Sequence, residues 1–218
     1  MVDYYDEQIK KLKSSFTELD LEGKSIVDKM NTTNLISMKK IGSAANNILT
    51  MKAAMAFVEM LKDNKIISIC NIYKDILESV KHTNPNANGY DVSYDGSHGG
   101  EKFIAEVKCN IPVNADSFGA KQIEGITKDI NNLFNGKEST KETKKIKDEL
   151  GDYYKFFVVM TCESIEKLKC DNIRDCMKKI ISPINKNRQG GQVLYYDTIH
   201  DKNNLPSDNV YVVFVTID

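Results

Sequence analysis

The sequence predicts an α/β fold, in which a mixed β-sheet is flanked by helices and preceded by a helical N-terminal part. Three observations support this class: apolar residues first recur at helical spacing, their period changes to two after residue 89, and later segments alternate between helix and strand patterns. With 218 residues and 41% hydrophobic content, the chain is long enough for one domain with a substantial core. We expect a single domain over residues 1–218, with a helical part at 1–63 and an α/β core at 64–218.

The N-terminal part is predicted to be helical because its apolar side chains repeat every three or four residues. The repeat predicts three helical segments, at residues 9–19, 45–61 and 66–80. Residues 63–65 break the pattern between the second and third segments, and the third helix is expected to stop near His82. The turn formers at residues 83–89 then end the helical part of the chain.

After this turn, a period of two predicts short strands at residues 90–94 and 102–109, joined by a glycine-rich hairpin loop. Strands joined in this way should pair antiparallel. The expected order of the remaining elements is helix, strand, helix, short strand and strand, at residues 117–134, 156–161, 164–181, 193–196 and 209–217. The charged residues at 135–148 are expected to be exposed. The apolar run at 156–161 is typical of a strand buried on both faces.

Composition and charge exclude several classes of protein. No apolar run approaches the ~18 residues needed to cross a bilayer. The charged N-terminus lacks the apolar stretch of a signal peptide, so we expect a cytoplasmic protein with no membrane partner. The five cysteines are an odd number in a chain without an export signal, which indicates reduced thiols. They form no CxxC pair, which argues against a structural zinc site. The net charge of −1 provides no global attraction to nucleic acid.

Basic residues are nevertheless concentrated in two segments. Residues 29–58 contain four lysines and no Asp or Glu, and residues 167–188 contain seven basic residues against two acidic ones. Such segments form either solvated helix faces or phosphate-binding surfaces. Together with the helix after the hairpin, they supply the candidate nucleic-acid-binding residues Lys39, Lys40, Lys52, Lys121, Arg174, Lys178 and Arg188.

Charged residues of the predicted hairpin converge on one face. Strand alternation places Glu106 and Lys108 on the same side, and closure of the hairpin places Asp91 opposite residue 105 or 106. Neighbouring carboxylates repel each other unless a cation neutralises them, and a divalent cation with oxygen ligands does so. This set suits Mg²⁺-dependent hydrolysis of a phosphodiester. Asp91 and Glu106 would hold the ion, which activates a water and stabilises the phosphate charge, while Lys108 positions that water.

The pattern of Asp91, fourteen intervening residues and then Glu106-x-Lys108 resembles the catalytic signature of the PD-(D/E)xK nucleases, the restriction-endonuclease-like superfamily. The order of elements over residues 66–161 also resembles that family, although Tyr90 stands where the family has proline. The resemblance implies a restriction-endonuclease-like sheet flanked by helices. It also implies that Asp91 and Glu106 are metal ligands and that Lys108 orients the attacking water.

Of the four E/D-x-K triplets in the chain, the one at Glu106 alone lies in an apolar strand after a Gly-x-Asp turn. The alternative is an ordinary hairpin with charges on its solvent face. By the same resemblance, Glu78 is a candidate third metal-facing acid and Gln122 a candidate polar residue near the scissile phosphate. The alternative for Glu78 is a solvated position on its helix, and the alternative for Gln122 is an ordinary surface glutamine.

Asp95 is an alternative to Asp91 as the metal ligand, if the hairpin closes in a different register.

The resemblance implies a Mg²⁺-dependent type II restriction endonuclease that cuts double-stranded DNA at a specific site. Such enzymes commonly act as homodimers, because two-fold symmetry matches a palindromic site. We therefore expect double-stranded DNA and a second copy of the chain as partners. Two alternatives are open: a structure-specific or repair nuclease of the same superfamily, and a non-catalytic nucleic-acid-binding module that retains the fold.

Overall fold

The computed structural model describes residues 4–7, 32–64, 70–83, 89–97, 101–113, 117–199 and 205–217. Its longer elements are, in chain order, α1 (Thr32–Asp63), α2 (Cys70–His82), β1 (Val92–Tyr94), β2 (Phe103–Lys108), α3 (Ala120–Asn135), α4 (Lys141–Asp148), β3 (Tyr154–Thr161), α5 (Cys170–Asn187), β4 (Val193–Tyr195) and β5 (Val210–Thr216). Short 3₁₀ turns lie at Leu150–Asp152, Glu166–Leu168 and Tyr196–Thr198.

The strands form a five-stranded mixed sheet in the order β1-β2-β3-β5-β4. β1 pairs antiparallel with β2, and β2, β3, β5 and β4 run parallel to one another. β3 and β5 are buried along almost their whole length, as expected for strands covered by helices on both faces. The α/β class, the mixed sheet and the antiparallel hairpin predicted from the sequence are therefore confirmed.

Alternation along β2 determines which helix covers each face of the sheet. The Phe103 ring contacts Phe57 of α1 at a centroid distance of 6.3 Å, whereas the Lys108 ammonium contacts Asp129 of α3. Residues an odd number apart on a strand point to opposite faces, so α1 and α3 cover opposite faces. On β3, Phe156 also packs on Phe57, at 5.2 Å. Helix α1 is thus part of the hydrophobic core of the sheet.

Helix α4 lies within residues 135–148, a segment predicted from the sequence to be charged and exposed. Its N-cap Thr140 and Thr143 form reciprocal hydrogen bonds that satisfy backbone groups of the first turn. Only Thr143 and Ile146 of this helix are buried. One buried turn in a charged segment gives too short an apolar pattern to predict the helix.

Helix α5 is displaced along the chain relative to its expected position at residues 164–181. It begins at Cys170 and continues through Pro183 to Asn187. The Asn185 side chain ties the extended end to β4, because it donates to the Val193 carbonyl at 2.9 Å and accepts from its N–H at 2.8 Å. These tertiary hydrogen bonds support the turn that contains the proline, which lacks a backbone donor.

Some expectations fall on residues outside the described ranges. They include the helix predicted at 9–19, the start of the helix predicted at 66–80, most of the turn at 83–89 and part of the hairpin loop. Within the described ranges, no helix is both long and apolar enough to cross a membrane.

Replacing Phe57 by alanine removes the ring that links α1 to β2 and β3. Because this side chain is fully buried, we expect the free energy of unfolding to fall by about 3–5 kcal/mol, measured by urea denaturation. Ile165→Ala is the control, since that side chain is 49% exposed and its loss should cost no more than about 0.5 kcal/mol. Equal losses in the two variants would show that α1 does not pack on the sheet.

Candidate functional site

A cleft of about 550 Å³ lies at the carboxyl end of β2, lined by residues of the sheet, α1 and α3. Ligands of open α/β sheets commonly bind beyond the carboxyl ends of the strands, so the cleft lies where a functional site is expected. The charged residues that line it are Asp91, Glu106, Lys108, Asp129 and Lys137. These five residues are called the acid–lysine cluster.

The hairpin places two carboxylates of the cluster side by side. Val92 pairs with Ala105 across β1 and β2. Continuing this register by one residue places Asp91 opposite Glu106. The Asp91 carboxylate accepts a hydrogen bond of 2.8 Å from the backbone N–H of Val107, which holds its side chain against β2. The structure therefore brings together the acids that the sequence analysis selected.

Glu106 lies on β2 with only 4% of its surface exposed. Burial is the largest cause that raises the pKa of its carboxyl group to about 8, and repulsion from Asp91 is the next. The positive charge of Lys137 lowers this pKa but does not cancel the other two effects. Its Oε1 atom forms an ion pair with Lys137 Nζ, but it accepts no hydrogen bond of normal geometry from the described residues. This oxygen is therefore positioned to contact a cation.

The pKa of Asp91 is also raised, and burial is the largest cause. The Val107 N–H and the two lysines of the cluster favour the ionised form, whereas Asp129 disfavours it. Raised pKa values on both Asp91 and Glu106 mean that the nearby positive charges do not offset the cost of burying two ionised carboxylates. A divalent cation would supply the missing charge.

Lys108 shares a face of β2 with Glu106, as strand alternation predicts. Its ammonium forms an ion pair of 2.5 Å with Asp129 of α3. Burial alone would lower the pKa of Lys108, but the charge and hydrogen bond of Asp129 outweigh it, so the pKa is raised. Lys108 is therefore held in its charged form beside the acid pair.

Lys137 enters the cleft from the end of α3. Gly136 terminates that helix with a φ of +79°, in the region that glycine adopts without strain. The Lys137 ammonium reaches Glu106 and donates to the carbonyl of Gly89 at 2.5 Å. It also lies 4.8 Å from the centre of the Tyr90 ring, within the range of a cation–π contact.

Cys109 lines the cleft directly after the catalytic candidates of β2. Burial raises the pKa of its thiol to about 12, so the thiol stays protonated at neutral pH. Burial therefore disfavours the thiolate that a nucleophile at Cys109 would require. The chemistry of the cleft depends on its carboxylates and ammonium groups.

Three other candidates have different partners in the structure. Glu78 does not line the cleft, and its 58% exposed side chain pairs with Lys81 of the same helix, so it is misplaced as a ligand for an ion there. Gln122 lines the cleft, but its amide bridges two backbone groups: it accepts from the N–H of residue 119 at 2.8 Å and donates to the carbonyl of residue 111 at 3.0 Å.

Asp95 accepts a hydrogen bond of 3.0 Å from the backbone N–H of residue 97, so its side chain stabilises the turn of the hairpin.

The predicted DNA-binding residues fall into two groups. Lys39, Lys40 and Lys121 are exposed, and Lys52 is half-buried. The remaining residues Arg174, Lys178 and Arg188 interact with Asp197, Asp175 and the ring of Phe134 respectively. A phosphate would have to compete with these intramolecular contacts. Lys39, Lys40 and Lys121 are candidates for binding DNA because their side chains are exposed.

Asp129 and Lys137 complete the cluster, and neither is among the site residues predicted from the sequence. Asp129 lies between Ile126 and Ile130 of the buried stripe of α3, and an acid beside such a stripe indicates a buried partner. That signal was available in the sequence. The neighbours of Lys137 give no indication that it contacts Glu106, because the contact depends on how α3 packs against β2.

The donor set of the cluster fits a magnesium ion. Within the described part of the chain, no group of three or more His, Cys, Asp or Glu side chains is arranged to hold a metal. Mg²⁺ is commonly bound by only one or two carboxylates, with waters and substrate phosphates as its other ligands. Asp91 and Glu106 supply two carboxylates of this kind. The Lys137 ammonium already contacts Glu106, so this carboxylate is placed where it can bind a positive group.

Comparisons of the chain with protein-family models, curated proteins and solved structures find no match. Function must therefore be inferred from the cleft and the residues that line it.

The raised pKa of Glu106 predicts that stability depends on pH. The folded chain keeps this proton up to about pH 8, whereas an unfolded glutamate releases it near pH 4.5. The stabilisation from Glu106 is therefore complete below about pH 4.5 and is lost as pH rises through about 8. At about 1.4 kcal/mol per pKa unit, this loss amounts to a few kcal/mol.

Urea denaturation in a chelator-containing buffer should show the free energy of unfolding of the wild type falling over this pH range. Glu106→Gln should remove most of the decrease, because the amide does not ionise. Glu124→Gln, at an exposed position of α3, should behave as the wild type. A Glu106→Gln variant with an undiminished pH dependence would contradict the assignment.

Proposed function

We propose that this protein is a Mg²⁺-dependent endonuclease that hydrolyses phosphodiester bonds in double-stranded DNA. The observation that carries the proposal is the convergence of Asp91, Glu106 and Lys108 in one cleft at the carboxyl end of β2. Two buried carboxylates with raised pKa values beside a charged lysine have the composition of a site for a metal and a phosphate.

The fold supports a restriction-endonuclease-like architecture. In the PD-(D/E)xK pattern a helix precedes a hairpin that carries the acids, and an amphipathic helix, a strand and a further helix follow. Here α2, the β1–β2 hairpin, α3, β3 and α5 occur in this order, with α4 inserted before β3. This order of elements supports the proposal beyond the three residues of the motif, and β3 pairs parallel with the strand that carries Glu106 and Lys108.

Asp91 and Glu106 would hold Mg²⁺ in this reaction. When bound, the ion would supply Lewis-acid stabilisation of the charge that develops on the phosphate. Lys108 would orient the attacking water and donate to the phosphate, and Asp129 would hold the Lys108 ammonium in place. The reaction requires no covalent intermediate with the protein.

DNA would contact the protein through exposed lysines. Lys39, Lys40 and Lys121 are the favoured candidates, because their side chains are exposed. Such contacts bind phosphates and set the register of the duplex, but they carry no sequence information. The segment of α1 between Lys39 and Lys52 contains no acid that would repel the backbone of DNA.

Within this class we favour a type II restriction endonuclease that acts as a homodimer on a palindromic site. Incubation of plasmid DNA with the protein and Mg²⁺ tests this choice. Discrete fragments would indicate a site-specific enzyme. A smear, or cutting limited to ends, junctions or damaged DNA, would instead favour a repair or structure-specific nuclease.

The catalytic assignment predicts that Lys108→Ala lowers the cleavage rate by about 10²–10³-fold, because the attacking water and the phosphate lose a positioned cation. Binding of DNA should be largely retained, since the substitution leaves the exposed lysines intact. Gel-based cleavage and fluorescence anisotropy measure the two quantities. Glu106→Gln should also abolish cleavage, through loss of a metal ligand.

Lys128→Ala is the matched control, because Lys128 is an exposed lysine of α3 that does not line the cleft. Its cleavage rate should equal that of the wild type. Thermal melting of each variant separates a catalytic defect from unfolding. Wild-type cleavage by folded Lys108→Ala protein would refute the proposal, and DNA binding without cleavage by the wild type would favour a non-catalytic binding module.

A further inference from the structure

Lys137 occupies the position at the acid pair where a cation would bind. Its ammonium contacts Glu106 Oε1 and Gly89 O, and only 15% of its side chain is exposed. It also exerts a favourable charge effect on the ionised form of Asp91. A buried ammonium that contacts Glu106 and electrostatically favours the ionised form of Asp91 acts as a counter-ion of the ionised carboxylates while no metal is bound.

The backbone around Lys137 holds the side chain in this position. A Cβ atom at Gly136, which has a φ of +79°, would lie 2.5 Å from the Lys147 side chain, so the sharp turn requires glycine. Lys137, which follows this glycine, donates its backbone N–H to the hydroxyl of Tyr90 at 3.2 Å. Tyr90 therefore contributes both a hydrogen bond to the backbone of Lys137 and a ring beneath its ammonium.

The two lysines of the cluster differ in the acid that they neutralise. Lys108 pairs with Asp129, which belongs to α3 and is not one of the proposed ligands. Lys137 pairs with Glu106 itself. An ion that binds Glu106 must therefore compete with Lys137, whereas the pair between Lys108 and Asp129 can persist.

We propose that Lys137 is a displaceable counter-ion that sets the affinity of the acid pair for divalent cations. Binding of Mg²⁺ breaks the ion pair with Glu106, and the ammonium moves away while Gly89 and Tyr90 keep it within the cleft. Lys137 thus acts through Glu106: it stabilises the metal-free protein and lowers the affinity of the acid pair for the metal. This inference rests on the proposed metal site of the nuclease.

Isothermal titration of the full chain with Mg²⁺ alone, without DNA, tests the proposal. Lys137→Met should bind Mg²⁺ about tenfold more tightly than the wild type, because two carboxylates are then left without their competing cation. Lys137→Arg should bind no more tightly than the wild type, since it keeps the charge. Lys128→Met, at an exposed position outside the cleft, should match the wild type.

The titration should be performed at about pH 9, where protons compete least for Glu106. Thermal melting provides a second measurement: without metal, Lys137→Met should melt below the wild type, and saturating Mg²⁺ should abolish the difference. Should Lys137→Met fail to fold, Lys137→Gln removes the charge while keeping a donor for the Gly89 carbonyl, and the same increase in affinity is expected.

A Glu106→Gln arm distinguishes failure of this inference from failure of the metal site. If the wild type binds Mg²⁺ and Glu106→Gln does not, the site is established, and equal or weaker binding by the charge-removing variants of Lys137 overturns the counter-ion role alone. If the wild type binds no Mg²⁺, or Glu106→Gln binds as the wild type does, the metal site and the counter-ion role are both overturned.

Discussion

The burial of two carboxylates against each other at the carboxyl end of β2 is the constraint on which the site depends. Asp91 and Glu106 are each removed from water, and this burial is the largest cause of the raised pKa of both; repulsion from Asp91 raises the pKa of Glu106 further. A fold that needed only stability would place apolar residues here, since an uncompensated buried charge is costly. The Val107 N–H and the ammonium of Lys137 partly compensate the pair.

The fold supplies the geometry that this compensation requires. The β1–β2 hairpin sets one acid beside the other, while the parallel pairing of β2 with β3 keeps the strand rigid and buried. Helix α3 has two functions, because its apolar stripe packs on the sheet while Asp129 extends into the cleft and holds Lys108. On the opposite face, α1 anchors the sheet through Phe57. The core therefore offsets the energetic cost of the charged cleft.

Local patterns made the hairpin and its charged face predictable. A period of two with a glycine-rich loop places Glu106 and Lys108 on one face and Asp91 near them, and the structure has this arrangement. The contact of Lys137 with Glu106 was not predictable, because it depends on the packing of a helix against a strand. The resemblance suggested Glu78 as a ligand, but α2 turns that side chain towards solvent. Sequence patterns predict which side chains share a face of one helix or strand. Which faces of different elements contact each other depends on tertiary packing.

In the proposed reaction, the partners of the two lysines favour Lys108 over Lys137 as the residue that would orient the attacking water. A group that orients water must keep its position when the metal binds, and Lys108 is held by Asp129, which is separate from the acid pair. Lys137 shares Glu106 with any bound ion, so its position depends on whether the metal is present. The same cleft thus contains one ammonium paired with an acid of α3 and one paired with a proposed metal ligand, which a bound ion would release. A released ammonium beside a phosphate-binding metal would couple occupancy of the acid pair to binding of the anionic substrate.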